Sequence, residues 1–387
     1  MIEGLEIALV YSLTDGAIAV NNLDSVRQRS WSRFWQDPLR PGIAESIVEQ
    51  EHLTLQFLSD LAALDRVGSL ISQLDHLDAE SPRTALVHAQ VASMAHRFAD
   101  ARKFLAQAED CVEFAHAARR VSLSIDQACG TRLKTVLEAR LRMAAGSGRL
   151  EDLVPLAALY ADLREFDEAD RIYERALREF QDTSPFAIAW VCFQLGALWG
   201  ELVPVSDPDR ASIWYERAVA VLPCYVKARV HLAEIRLQNE RMDEAETLLI
   251  PALSSYDPEV NWRLADVLTA MGRTFEAEVQ MQAARSGFEL LLDRHLLAFA
   301  DHGAEFYSGS GNDPRRAFEL ASINLANRPT LRAFELAHST ALNAGFLDAA
   351  SKILADAAQC WGATTDLKSS KTATFHGKST VPRVLWR

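Results

Sequence analysis

The chain has 387 residues, of which 49% are apolar and 24% are charged, and its formal net charge at pH 7 is -13. This composition is ordinary for a folded protein, so neither a disordered nor a low-complexity chain is expected. The acidic balance argues against a nucleic-acid partner, because an acidic surface repels phosphate backbones. The five cysteines are widely spaced and form no CxxC pair, which disfavours a disulfide framework and a thiolate zinc site.

The N-terminal segment, residues 1–42, is predicted to be a capping or docking element. Its first residues, MIEGLEIALV, contain acidic side chains and no basic stretch, so a signal peptide is not expected and the cytoplasm is the expected location. A helix in this segment is suited to cover the exposed apolar end of a repeat array. A docking segment for a partner is the alternative. The segment contains three large aromatic residues: Trp31, Phe34 and Trp35.

Residues 43–149 are predicted to form helical repeats of a degenerate kind. Small residues recur at intervals of 33 and 34 positions, at Gly68, Ala101 and Thr135. A fixed spacing of this length indicates a stacked array of helix pairs, in which each small residue begins the second helix of a pair. The pattern is weakest at Thr135, where the side chain is larger than alanine.

The clearest repeats are predicted within residues 150–360. Asp152–Gln181 reads DLVPLAALYADLREFDEADRIYERALREFQ, two amphipathic segments around a short turn. In the second segment Ala169 and Ala176 flank Tyr173 at helical spacing. Helices can cross closely only where small side chains lie at the contact, and the aromatic ring then fills the gap between layers. The same small residue recurs at later positions: Ala211, Ala245, Ala277, Ala317 and Ala349.

The most apolar stretch of the chain, Phe186–Val205, lies within these repeats. It contains Gln194, Glu201 and Pro204. Polar and helix-breaking residues in these positions fit a buried repeat helix better than a membrane span, so no membrane partner is expected.

The pattern of Asp152–Gln181 and its later copies resembles the tetratricopeptide repeat (TPR) family. That family places a large residue, Leu, a small residue and an aromatic in the first helix of a repeat, and Ala, an aromatic and Ala in the second. The resemblance covers roughly residues 45–360. It implies an all-α fold, a right-handed superhelical solenoid of about nine antiparallel helix pairs.

The resemblance also implies a binding surface, because in this family the first helices of successive repeats line the concave face. By that register the inward positions form a mixed surface of aromatic and charged residues. Aromatic anchors surrounded by polar groups suit recognition of a peptide. The predicted groove residues are Phe57, Arg83, Arg120, Trp190, Phe193, Lys227, Glu234, Trp262, Asp266, Phe334 and His338.

The last segment, residues 361–387, is predicted to be a flexible basic tail rich in Ser and Thr. The only acidic residue in this segment is Asp366. Val384–Trp386 is expected to become ordered if the tail docks on the acidic body. The five basic residues of the tail are Lys368, Lys371, Lys378, Arg383 and Arg387.

Two Glu-x-x-His pairs, Glu49 with His52 and Glu113 with His116, raise an alternative. On a helix this spacing places both side chains on one face, as in di-iron carboxylate proteins. A metal-dependent enzyme of the di-iron or manganese type, or an obligate subunit of one, would use these residues as ligands. Against this, the predicted register puts the two pairs two repeats apart, roughly 16–20 Å, which is too far to share a metal.

The leading hypothesis is a non-catalytic scaffold or adaptor. It would bind a protein or peptide partner, such as a partner enzyme in a complex, through the concave groove and would need no cofactor. The metal-dependent enzyme is the first alternative. The second is a regulatory protein that a ligand switches by changing the curvature of the superhelix, since a fold of this kind does not fix a function.

Overall fold

A computed structural model describes residues 12–362 of the chain. All regular secondary structure in this part is helical, which confirms the prediction of an all-α fold. The predicted basic tail lies outside the described residues apart from Trp361 and Gly362. The helices are α1 (Gly16–Gln36), α2 (Ile43–Leu58), α3 (Ala63–Asp78), α4 (Pro82–Met94), α5 (Phe98–Glu109), α6 (Ala115–Ala128), α7 (Leu133–Gly146), α8 (Leu150–Asp162), α9 (Phe166–Glu179), α10 (Pro185–Ala197), α11 (Pro208–Val221), α12 (Val226–Gln238), α13 (Met242–Leu249), α14 (Pro258–Ala270), α15 (Thr274–Ser308), α16 (Pro314–Asn327), α17 (Leu331–Asn343) and α18 (Leu347–Trp361).

Consecutive helices from α2 onward are joined by short turns and pack as antiparallel pairs, so the described chain is a solenoid. Helix α15 serves two pairs, because its backbone leaves the helical region at His295 (φ -136°, ψ 47°) and the chain bends there. A π-helical turn at Leu198–Leu202 continues α10, and a 3-10 segment at Ile250–Ser255 continues α13. The handedness of the superhelix stays a prediction. The pairs are α2–α3, α4–α5, α6–α7, α8–α9, α10–α11, α12–α13, α14 with the first part of α15, the second part of α15 with α16, and α17–α18.

A buried alanine at the fourth position of the second helix lies at the contact within most pairs. A methyl group is small enough to let the two helix backbones approach closely. The position is at most 5% exposed in seven pairs, where it is Ala101, Ala169, Ala211, Ala245, Ala277, Ala317 and Ala350.

The predicted register was wrong by one position at Gly68, Thr135 and Ala349. Gly68 and Thr135 are exposed, and the fully buried residues beside them are Val67 and Val136. In the last pair Ala350 is buried in place of its neighbour. A small residue at a fixed interval does not mark the contact in every pair, because two early pairs use valine there.

Helices α10 and α11 cross most tightly at Gly196. A methyl group added there would lie 2.5 Å from the ring of Tyr215, which is itself 1% exposed. Glycine is therefore required by the close approach of the two helices.

Helix α1 packs on α2 and α3 through apolar and charged groups. Phe34 is fully buried among side chains of α2, α3 and α4. Glu51 of α2, which has no exposed surface, accepts hydrogen bonds from Trp31 Nε1 (2.7 Å) and from Nε and Nη2 of Arg66 (2.9 and 2.6 Å). A buried carboxylate is costly unless it is paired, so this network holds α1 and α3 to α2.

The solenoid has two halves, α2 to α10 and α12 to α18, that contact each other across the concave face. Arg332 of α17 lies 3.3 Å from Glu201 at the end of α10, although α11 to α16 separate them along the chain. These contacts bridge the concave face, and we call the space between the bridging helices the inner channel. Other contacts between the halves are the rings of Phe57 and Tyr225 (4.9 Å), the ion pair of Asp65 and Arg294 (2.9 Å), the hydrogen bond from Asn327 Nδ2 to the His96 carbonyl (2.9 Å), and the ion pair of Arg164 and Glu335 (2.8 Å).

One segment of the described chain, Pro185–Leu202, is long and apolar enough to cross a membrane by length and composition. Of its residues, 56% are buried inside the fold. The segment corresponds to α10 and its π-helical end.

Candidate functional site

The inner wall of the channel carries a connected group of ionisable side chains. On α14, Glu259, Arg263 and Asp266 share one face because they are four and three residues apart. The end of α10, α12, the second part of α15, the end of α16 and α17 supply the rest. We call this group the inner charged cluster; it consists of Glu201, His231, Glu234, Glu259, Arg263, Asp266, Asp301, His302, Glu305, Arg328 and Arg332.

Glu201 lies in the π-helical turn that ends α10. Such turns are frequent at functional sites. Its carboxylate accepts a hydrogen bond from Tyr215 Oη (3.3 Å) and pairs with His231 Nδ1 (3.0 Å) and Arg332 Nη2 (3.3 Å). Burial would raise the pKa of Glu201, but His231 and Arg332 together lower it to about 2. Glu201 is therefore ionised at neutral pH.

His231 lies between two carboxylates and two aromatic rings. Its Nδ1 is 3.0 Å from Glu201 and 3.2 Å from Glu234, and the ring centroids of Phe193 and Tyr215 are each 5.4 Å away. Burial alone would lower the pKa of His231, but the two carboxylates raise it well above its usual value. His231 therefore carries a positive charge at neutral pH.

Arg263 is the most deeply buried cation of the cluster, with 5% of its side chain exposed. Its Nη2 lies 2.6 Å from Glu234 and 3.8 Å from Glu259, and its Nη1 lies 3.8 Å from Asp266. Glu259 is also 3.8 Å from Nδ1 of His302. One guanidinium group thus contacts three carboxylates, of which Glu234 also pairs with His231.

Arg332 joins the two sides of the channel and is reached by water. Its Nη2 lies 3.3 Å from Glu201 and 3.8 Å from Glu305. The Arg332 side chain is 51% exposed although protein surrounds it, so solvent enters this part of the channel and screens its ion pairs. Burial raises the pKa of Glu305 to about 7, and Arg332 offsets this only in part. Glu305 is therefore partly protonated near neutral pH.

The inner charged cluster extends to the ends of α4 and α8. Asp301 and Arg328 form an ion pair there. Burial, with help from Arg328, lowers the pKa of His96 to about 4, so this histidine is neutral. Desolvation by the surrounding protein raises the pKa of Asp162 to about 7, although the residue is partly reached by water, and a hydrogen bond with Gln127 opposes the shift. Asp162 has no ion-pair partner among residues 12–362.

Aromatic rings lie next to the charged cluster. Trp190 of α10 stacks on Phe193 with ring centroids 6.0 Å apart, and Phe193 contacts Tyr215 (5.6 Å) and Tyr225 (5.3 Å). Trp190 is only half-buried, whereas the other three rings are buried. Trp190 is therefore the most accessible ring of this group.

Four predicted groove residues are buried in the hydrophobic core, which corrects the prediction that their rings line a groove. Each is at most 9% exposed, so its ring is inaccessible to a ligand in this conformation. The first helix of a repeat has two apolar faces. One packs on the second helix of the same pair and the other packs on the next pair, and these rings fill the contacts between pairs. The four residues are Phe57, Phe193, Trp262 and Phe334.

Two predicted charged residues, Glu234 and Asp266, belong to the inner charged cluster. Lys227 is half-buried and lies close enough to His52 that its charge lowers the pKa of that histidine, after burial, which is the larger cause. The prediction that these residues contact a partner stays a prediction.

The remaining three predicted groove residues lie elsewhere. Arg83 lies 3.6 Å from Glu45 and 3.7 Å from Glu113 and lines a cavity of about 250 Å³ between α4 and the turn before α6. Arg120 pairs with Asp152 at 2.9 Å. His338 is half-buried on α17, and burial lowers its pKa. Neither arginine joins the inner charged cluster.

The two Glu-x-x-His pairs are not brought together. Glu49 and His52 lie on α2, but Glu113 precedes the start of α6 and only His116 is on that helix, so the second pair does not share a helix face. Within residues 12–362 no group of three or more His, Cys, Asp and Glu side chains is arranged to hold a metal ion.

Sequence reasoning missed most of the inner charged cluster, including His231, Glu305 and Arg332. One usable signal was Glu201, a lone acidic residue near the end of the most apolar stretch of the chain. Another was the spacing of His231 and Glu234, three residues apart on one predicted helix. The contact between the end of α10 and α17 has no local signature in the sequence.

No family model and no curated protein matches the chain. Among solved structures, it is similar to the APC/C hetero-tetramer Cut9-Hcn1, at 14% identity and a TM-score of 0.43, over 86% of this chain and 64% of that chain. It is similar to the apo form of the quorum sensor NprR from B. thuringiensis, at 15% identity and a TM-score of 0.44, over 86% of this chain and 97% of that one. It is also similar to YrrB, a TPR protein with an unusual peptide-binding site, at 14% identity and a TM-score of 0.30, over 59% and 95% of the two chains.

The chain therefore spans about two-thirds of the length of the Cut9-Hcn1 chain. Its TPR-like fold is established by the paired helices and their buried alanines.

Proposed function

We propose that this chain is a non-catalytic scaffold that holds a peptide segment of a partner protein in its inner channel. The observation that carries the proposal is the inner charged cluster, whose side chains are fixed by packing and yet reached by water. A partner enzyme in a cytoplasmic complex is one source of such a segment.

Burying the charged groups of this cluster costs free energy of folding that apolar side chains would not. Replacing buried ion pairs with apolar side chains of similar volume is often neutral or stabilising by about 1–4 kcal/mol. A channel that served only to close the solenoid would be expected to be apolar. Charged groups retained in oriented positions are instead suited to recognise polar groups of a ligand.

The half-exposed guanidinium group of Arg332 and the half-buried ring of Trp190 offer two kinds of contact to a ligand. Arg332 is 51% exposed, so its guanidinium group has donor positions available to a peptide carbonyl or carboxylate. Trp190 offers a large ring with little rotamer freedom to lose. An aromatic anchor beside oriented charges is the arrangement that peptide-binding surfaces use.

The proposal is tested by selecting peptides from a random display library on the full chain and measuring their affinities by calorimetry. A hydrogen bond to a charged group contributes about 1.5–3 kcal/mol, so Arg332→Ala should weaken selected peptides by roughly 10- to 150-fold. Arg332→Lys should recover only part of this, because lysine keeps the charge but not the planar pair of donors.

Arg171→Ala is the matched control, because Arg171 pairs with Glu168 on the exposed face of α9. It should leave the affinities unchanged. Circular dichroism checks that each variant is folded. If the library yields no binder, or if selected peptides bind the Arg332 and Arg171 variants equally well, the channel is not the binding site.

A further inference from the structure

Helices α6 and α7 carry positive charge in a chain that is acidic as a whole. Residues 115–146 contain six basic and two acidic side chains, a net charge of +4, whereas the whole chain has a net charge of -13. Positive charge concentrated on one helix pair attracts acidic groups and disfavours basic ones. The six basic residues are Arg119, Arg120, Arg132, Lys134, Arg140 and Arg142.

Arg140 is buried in this pair and has no ion-pair partner in the part of the chain that the structure describes. The residue is 2% exposed, its Nε has no hydrogen-bond partner, and its Nη2 donates to Ser124 Oγ (3.1 Å). Burial and the nearby charge of Arg120 lower the pKa of Arg140 to about 10, so it is still charged at neutral pH. A buried charge is costly unless it is paired, so Arg140 is one half of an ion pair.

The carboxylate that acts on Arg140 belongs to Asp152, at the start of α8, and it is already engaged. It accepts hydrogen bonds from Arg120 Nη1 (2.9 Å) and from Ser147 Oγ (2.7 Å). Two guanidinium groups and one carboxylate therefore leave one positive charge without a counter-ion where α6, α7 and α8 meet.

This junction is accessible from solvent. Ser124 is exposed and 31% of the Arg120 side chain is exposed, so the end of the Arg140 guanidinium that contacts Ser124 lies directly beneath the surface. Arg149 and Glu151, at the edge of the junction, lie 3.5 Å from each other and leave its net charge unchanged.

We propose that Arg140 and Arg120 form a binding site, opening at Ser124, for a side-chain carboxylate of an acidic segment in a partner protein. A carboxylate brings one negative charge and two acceptor oxygens, which match the single uncompensated charge and the planar donors of a guanidinium group. A phosphate group fits less well, because it carries about 1.5 to 2 negative charges at pH 7 and Asp152 would repel the excess. Neither arginine belongs to the inner charged cluster, so the proposal does not depend on a ligand in the inner channel.

The experiment uses the full chain and a fluorescein-labelled hexaglutamate peptide, whose binding is measured by fluorescence anisotropy at constant ionic strength. Arg140→Met is the test variant, because methionine fills much of the same space without a charge. Arg142→Gln is the matched control, since it removes one positive charge from an exposed position two residues away on the same helix.

We expect Arg140→Met to weaken the peptide at least tenfold, because a hydrogen bond to a charged group is lost, and Arg142→Gln to weaken it less than twofold. Arg332→Ala should leave this affinity unchanged, which separates the site from the inner channel. Replacing one central glutamate of the peptide with phosphoserine should not tighten binding. A phosphoserine peptide that binds more tightly would overturn the assignment to a carboxylate.

Equal weakening by Arg140→Met and Arg142→Gln would overturn the inference, because binding would then follow net charge alone. Absence of binding to the unmodified chain would overturn it as well. Hydrogen exchange of the unmodified chain is a second test that does not require any variant to fold. Saturating hexaglutamate should slow the amides of α6 to α8 and leave those of α14 to α17 unchanged. Protection confined to other helices would place the peptide elsewhere and refute the site, whereas the display-library peptides test the inner channel separately.

Discussion

Replacing Glu51 with glutamine should loosen the N-terminal end of the solenoid and leave the rest folded. The buried carboxylate accepts hydrogen bonds from Trp31 and Arg66 and lies 3.5 Å from Arg27. Glutamine keeps the shape but loses the charge, and its amide group turns a donor toward other donors. A hydrogen bond to a charged group contributes about 1.5–3 kcal/mol, and breaking a buried ion pair costs about 3–5 kcal/mol. Because Arg66 keeps Asp60 at 2.6 Å, we expect a loss of about 2–3 kcal/mol.

Native-state hydrogen exchange is the assay, because a solenoid opens locally and a single free energy of unfolding does not describe it. The amides of α1 to α3 should exchange roughly 30- to 150-fold faster in the variant, while those of α12 to α18 keep their rates. Glu49→Gln is the matched control, since Glu49 is exposed and lies two residues away on the same helix. The reasoning is refuted if both variants behave alike or if exchange accelerates along the whole chain.

The other predictions concern packing, pH and the contact between the two halves. Gly196→Ala should destabilise the chain by about 1–3 kcal/mol because its methyl group meets the ring of Tyr215, whereas Gly68→Ala, with nothing within 4 Å, should stabilise it by about 0.5–1 kcal/mol; urea denaturation compares the two, and shifts of the same sign would contradict the close crossing. The raised pKa of His231 means that its stabilising contribution is complete below the unfolded value of about 6.5 and is lost as pH rises through the folded value. The Tm should therefore fall with rising pH in that range and fall less in His231→Gln; parallel curves would show that another group titrates. Asp65→Asn removes a half-exposed ion pair, so its cost in a denaturation curve should stay below about 1 kcal/mol and vanish at high salt, and a cost that persists in salt would mean that the contact is not ionic.

The fold was predictable because a helix pair leaves a local signature. Small residues must lie where two helices cross, and the turn between them has nearly constant length, so the interval between Ala169 and its equivalents is visible in the sequence. The prediction failed where the contact residue is larger, at Val67 and Val136, because these valines do not stand out among other apolar residues. The bend at His295 was also missed, since no proline or glycine adjoins it in the sequence.

The site was much less predictable, because it depends on which helices meet across the channel. Register alone included Glu234 and Asp266 among the inward positions, and both side chains belong to the inner charged cluster. It could not place Glu201 beside Arg332, which is 131 residues away. Register also could not separate an aromatic ring that fills a contact between pairs, such as Trp262, from one that faces solvent, since both lie on the first helix of a repeat.

The contacts that close the channel are unequal in strength, and this bears on how a ligand enters. Near α2 the halves are joined by the buried ring of Phe57 against Tyr225, whose separation would expose a large apolar area. Beside the bend at His295 they are joined by the half-exposed pair of Asp65 and Arg294, and exposed ion pairs contribute about 0–1 kcal/mol. A bend in the helix and weak contacts therefore coincide on one side of the channel. A change of curvature driven by a ligand would open this side first, because the apolar contact resists separation and the ionic one does not.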